Sequence, residues 1–269
     1  MADRTFEAVL RRDRRIVAGA LAVVAALAWV YVLWLAVDMN MAGMSMSGFR
    51  MVPAGVGMMA PAASPWSAVE FAFVFVMWAV MMIGMMAPSA APMILLYARV
   101  GRQGKSAGKP LAATGWFVGG YFLAWVGFSL AATLVQWVLE RAALLDSRMA
   151  SANLLLGGVV LIAAGVYQWT PFKNACLAQC QTPFRFLMSH GGFRSNTLGC
   201  LHLGFVHGVY CVGCCWVLMA LLFVVGVMNV LWIALLALLV LLEKLTPWGR
   251  WVARIAGAVC IAAGARMVF

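Results

Sequence analysis

Long uninterrupted apolar stretches, separated by short basic or glycine- and proline-containing segments, make up most of the chain. The apolar residues run continuously and do not alternate, which predicts helices and excludes the strands of a membrane β-barrel. Crossing the hydrocarbon takes about 20 apolar residues per helix. Seven stretches meet or approach that length, at about 16–37, 69–97, 111–139, 152–169, 201–225, 227–242 and 251–268. The first follows Arg11, Arg12, Arg14 and Arg15 but is longer than the signal-peptide core of about 7–15 residues, so it reads as a retained helix. Pro88 and Pro92 each remove a backbone donor, so the second stretch is expected to bend or break between Ala87 and Pro92. The segment 170–199 is too interrupted to cross, and the short gap at 226–229 predicts a tight antiparallel hairpin. The expected fold is all-α: one polytopic helical bundle with about seven spans, and a Met-rich loop at 38–67.

Composition agrees with this pattern. The chain is 65% hydrophobic and 10% charged, against about 45–50% and about 25% in soluble domains, which excludes a water-soluble globule. The net charge of +11 does not call for nucleic acid, because Lys and Arg beside apolar spans set membrane orientation. With the N-terminus inside, Arg99, Arg102, Lys105, Lys109, Lys173, Arg185, Arg194, Lys244 and Arg250 join the N-terminal arginines on the inner side. Only Arg50, Arg141, Arg148 and Arg266 fall outside. A multi-pass protein of the cytoplasmic (inner) membrane follows, with the lipid bilayer as its first partner. The 38–67 loop then faces outward, and Cys176 and Cys180 lie just inside the cytoplasmic face.

The chain also carries 19 methionines and 7 cysteines. Helical neighbours lie three and four residues apart, so His207, Cys211, Cys215 and Met219 form one stripe with Cys214 beside it. Thiolate, thioether and imidazole suit Cu(I), while zinc accepts Cys and His; packing alone is the competing explanation. Covalent haem would need C-x-x-C-H, whereas Cys211 and Cys214 are followed by Cys215. Cys200 and His202 stand at the inner entrance of the same helix as second-tier ligand candidates. Cys176 and Cys180 share i, i+4 spacing, and in a compartment that keeps thiols reduced they suit a metal-handling or inert pair better than a disulfide.

In the second stretch Met81 and Met85 share one helical stripe and Met82 and Met86 an adjacent one, though methionine is also an ordinary core filler. The loop methionines Met39, Met41, Met44 and Met46 gain nothing from packing when exposed to water. A thioether binds soft Cu(I) where a thiol would be lost to oxidation, so this loop is a candidate copper-capturing segment. Glu70, Glu243 and Lys244 fall at helix ends, where snorkelling makes them inexpensive. No P-loop, paired-carboxylate or Ser/His/Asp pattern points to an enzyme.

The blocks MMIGMMAPSAAPMILLY (81–97), YQWTPFKNACLAQCQTP (167–183), GVYCVGCCWVLMALLFVVGVMN (208–229) and EK (243–244) resemble the signature blocks of the predicted metal-binding integral membrane protein family, over about residues 69–265. The resemblance implies a copper-handling membrane protein, some members being associated with copper supply to tyrosinase-type oxidases. It implies ligand roles for Met81, Met82, Met85, Met86, Cys176, Cys180, Cys211, Cys214 and Cys215. The 38–67 loop lies outside it.

The leading expectation is a membrane Cu(I) chaperone that delivers copper to a partner copper enzyme, with zinc the less favoured metal. The alternatives are a subunit or accessory of a membrane copper oxidase or monooxygenase, a passive copper transporter, and a structural subunit. Only three histidines, His190, His202 and His207, stand against an oxygen-activating copper site.

Overall fold

The computed structural model describes residues 2–42, 49–54, 59–61, 64–103, 110–145 and 154–269, and the side chains within 15–38, 52–54, 64–102, 112–145 and 154–269. Ten helices account for nearly all of it. They are α1 (Ala2–Ala42), α2 (Ala68–Gln103), α3 (Pro110–Arg141), α4 (Leu154–Gln168), α5 (Pro171–Gln181), α6 (Pro183–Ser189), α7 (Thr197–Ala220), α8 (Leu222–Val225), α9 (Val230–Leu245) and α10 (Gly249–Val268). A short antiparallel ribbon, β1 (Phe49–Met51) with β2 (Met59–Pro61), follows α1.

Five of these segments, within α1, α2, α3, α7–α8 and α10, are long and apolar enough to cross a membrane. A sixth appears if α4 and α5, bent by 63° at residues 169–170, count as one. At 16 residues α9 is shorter than each of these five. Leu27, Val30, Ile255 and Val259 are each more than 60% exposed, whereas the aromatic residues Trp78, Phe117, Tyr121 and Trp125 are sealed inside. Such broad apolar exteriors mark a surface meant for something other than water.

Local sequence explains the helix ends. Ser67 and Glu70 form a reciprocal capping box at the start of α2, which satisfies two otherwise orphaned backbone donors. Thr170 caps α5 through its side chain, and Pro171 occupies the first helical position, where its missing N–H costs nothing. Asn229 caps α9, and Gly226 turns the chain before it with φ of 99°, a conformation that disfavours any side chain.

Of the bend or break expected in the second stretch, the break does not occur: α2 runs unbroken through Pro88 and Pro92. Each interior proline costs about 3 kcal/mol in an isolated helix, but α2 is packed against α1, α3 and α9. The hydroxyls of Ser89 and Tyr121 also donate to the Met86 carbonyl beside the prolines. The helix at the N-terminal side likewise extends past Asp38 to Ala42, so Met39 and Met41 belong to its last turn. Their side chains, and Met44 and Met46 altogether, lie outside the described residues.

Close helix contacts set the relative directions. In the α3–α7 pair, a Cβ on Gly204 would clash with the Phe117 carbonyl, and one on Gly208 would press against Tyr121 and Ala124. Residue numbers rise together, so these two helices run parallel. α4 and α10 run antiparallel, with Gly158 against Gly264 and Gly165 against Gly257. α2 and α3 are antiparallel too, since Trp78 bonds to Gln136 while Tyr97 stacks on Phe117. In place of a simple hairpin with α7, α9 contacts α2, α5 and α10 more than α7.

Candidate metal centre

The i, i+4 stripe on α7 faces inward along its length: His207, Cys211, Cys214, Cys215 and Met219 are all buried. What surrounds it comes from other helices. α5 runs antiparallel along α7, with Cys176 Sγ against Gly213 and Phe186 of α6 against the His207 ring. Cys176 and Cys180, expected as a pair by their own spacing, are thus also neighbours of the α7 cysteines. α5 continues from α4 into the interior because Thr170 and Pro171 restart the helix at once, and its two cysteines join those of α7.

Cys211 is the hub. The thiols of Cys180, Cys214 and Cys215 lie close around its sulfur, and Cys180 is also near Cys214. Tyr121 Oη lies 3.0 Å from Cys211 Sγ, and Lys244 Nζ lies 2.8 Å from it. Cys214 and Cys215 donate their thiol protons to the Cys211 carbonyl at 3.1 and 2.9 Å. All seven cysteines are free thiols. Cys180 is the partly exposed member of the group, while Cys176, Cys211, Cys214 and Cys215 are buried.

Beside the sulfur group lies a buried polar frame. Lys173 pairs with Glu243 at 2.7 Å, both side chains sealed from solvent, and Gln168 bonds to each of them. Tyr167 donates to the Gly213 carbonyl, and Gln181 donates to the Glu243 carbonyl. These contacts fasten α4, α5, α7 and α9 together around the cysteines. The expectation that Glu243 and Lys244 snorkel at a helix end is therefore wrong. The end of α9 is covered by α5, so its charges point inward, each to a specific partner.

His207 lies one turn before Cys211. Its Nδ1 is buried with no hydrogen-bond partner, among the rings of Phe117, Tyr121 and Phe186. A buried unpaired nitrogen is costly and keeps its lone pair or proton for another group. Met81, Met82, Met85 and Met86 are all buried, and the Met86 carbonyl accepts from the same Tyr121 that touches Cys211. The methionine stripe of α2 thus ends beside the thiols.

Cys200 and His202 are not brought to this centre. Cys200 is buried, bonded to Tyr97 Oη at 3.3 Å and to the Arg194 carbonyl at 3.1 Å, while His202 is exposed. Among the described residues no three His, Cys, Asp or Glu groups stand ready around one ion position; the sulfurs converge on Cys211 itself. Sequence reasoning missed Tyr121, Lys173, Gln168 and Lys244 as members of the site. The blocks containing the last three were visible, but their burial was not.

A helical protein with membrane-length apolar helices and a buried multi-cysteine centre is the class that the fold and site define. A family model, PpoB2, described as a copper chaperone, matches residues 75–267, and the chain belongs to that family. No curated protein and no solved structure matches it.

Proposed function

We propose that the chain is an integral protein of the cytoplasmic membrane that carries Cu(I) as cargo on the thiols around Cys211 and delivers it to a client copper oxidase. The observation that carries this reading is the buried grouping of Cys214 and Cys215, with Cys180 nearby, around Cys211, whose sulfur is met by Tyr121 and Lys244. Soft thiolates select Cu(I) over harder ions, and copper needs no more than two of them. Copper-chaperone family membership supports the same cargo.

The topology proposed is seven passes with the N-terminus inside: α1, α2, α3, α4 with α5, α7 with α8, α9 and α10, in a single membrane domain. The parallel α3–α7 pair and the antiparallel α2–α3 and α4–α10 pairs run as alternating crossings require. Copper would be gathered by Met39, Met41, Met44 and Met46 at the outer side and passed along Met81, Met82, Met85 and Met86. It would be held by Cys211 with Cys180, Cys214 or Cys215, and His207 and Met219 would complete exchange intermediates. Cys176 borders this set. Cys200 and His202 take no part, because each is placed elsewhere. Zinc is the less favoured metal because its structural sites take four tetrahedral donors, whereas among the described residues no three His, Cys, Asp or Glu groups stand around one ion position.

The test is transfer. Copper-loaded protein, reduced and reconstituted in vesicles, is mixed with a metal-free tyrosinase-type oxidase on the outer side. Gain of oxidase activity without copper appearing in the lumen is expected. Copper crossing into the lumen with no activation contradicts delivery and identifies a passive transporter.

A further inference from the structure

Lys244 is buried, with 5% of its surface exposed, and its ammonium reaches Cys211 Sγ at 2.8 Å and Ser89 Oγ at 3.2 Å. The groups facing it are Cys211, Cys214, Cys215 and Tyr121. Its sequence neighbour Glu243 is paired with Lys173 at 2.7 Å, so two lysines and one carboxylate leave one surplus positive charge beside the sulfurs. A single uncompensated charge is expensive in such an interior.

Among the described residues no three His, Cys, Asp or Glu groups stand around one ion position, and on a two-thiolate site the surplus matches a monovalent ion. Cu(I) on two thiolates carries a net charge of −1, which Lys244 neutralises. A divalent ion on the same two thiolates is neutral and would leave the ammonium unbalanced. Nothing is oxidised or reduced in this exchange; the ion enters and leaves as Cu(I), and the two thiols release their protons to solvent as it binds and take them up again as it leaves. We propose that Lys244 is the charge-selecting residue of the centre, fixing it to a monovalent ion held by two thiolates and disfavouring divalent ions. This rests on the reading of the cysteine group as a Cu(I) site.

The experiment measures two affinities on the detergent-purified full chain under reducing, anaerobic conditions. Cu(I) is titrated against a Cu(I) chelator and Zn(II) against a zinc-responsive dye, for wild type, Lys244→Met and Lys244→Arg. Lys244→Met is expected to weaken Cu(I) and strengthen Zn(II), each on the order of tenfold, while Lys244→Arg leaves both near wild type. A merely structural lysine would make both affinities of Lys244→Met fall together, and that result, or no change in either, overturns the proposal. Should Lys244→Met not fold, X-ray absorption of copper-loaded wild type decides: two sulfur ligands support the proposal and three overturn it. Wild type that takes up no Cu(I) sinks the underlying site as well, whereas normal uptake with unchanged metal preference in Lys244→Met sinks the charge selection alone.

Discussion

Lys244 and Cys211 are 33 residues apart in sequence, on α9 and α7, yet the lysine nitrogen lies 2.8 Å from the cysteine sulfur. The contact depends on the adjacent pair Glu243 and Lys173, which ties α9 to α5. The same frame that seats the lysine also brings Cys180 to Cys211. Sulfur donors from two helices and a cation from a third are thus assembled by one polar network in an otherwise apolar core.

Breaking that network should destabilise the whole bundle. Lys173→Met leaves Glu243 buried without its partner, a change that costs about 3–5 kcal/mol, and should lower the thermal midpoint in detergent. Adding Glu243→Leu removes the stranded charge and should recover a large part of the loss. A double variant no better than the single one would contradict this role.

Cysteines outside the centre should be dispensable for copper. Cys200 is committed to Tyr97 and the Arg194 carbonyl, and His202 is exposed. Cys200→Ser and His202→Ala should each retain wild-type copper content by elemental analysis; loss of copper in either would move the site.

The α3–α7 seam should tolerate no side chain at Gly204. A Cβ there meets the Phe117 carbonyl, while one on Gly115 meets nothing within 4 Å. Gly204→Val should abolish recovery of folded, monodisperse protein, and Gly115→Ala should purify like wild type. Equal yields would mean that the two helices do not pack as described.

The methionine stripe should govern loading and not stability. Met→Leu exchanges in a core cost less than about 1.5 kcal/mol, so Met81→Leu/Met86→Leu should fold normally. Stopped-flow loading with Cu(I) should be slower in that variant, with the final copper content unchanged. Loading at the wild-type rate would leave these methionines as packing residues.

Much of this was legible in the sequence. Apolar run lengths give the long helices, and helical spacing places His207, Cys211, Cys215 and Met219 on one inward face. The meeting of α5 with α7 was not legible, because a polar segment interrupted by Pro171 and Pro183 carries no local sign of where it returns. Glu243 and Lys244 were misleading for a related reason: a charge at a helix end snorkels if the end is open and pairs if another helix covers it. The prolines of α2 predicted a bend or break, and the helix stays continuous because the packing of neighbouring helices outweighs their local cost.

The most direct test of the account is the copper-to-protein ratio of chain purified reduced from copper-supplemented cells, wild type beside Cys211→Ser. Removing the sulfur on which the other thiols converge should abolish copper retention while the protein stays folded. Wild type without copper, or folded Cys211→Ser with as much copper as wild type, would contradict the thiol centre.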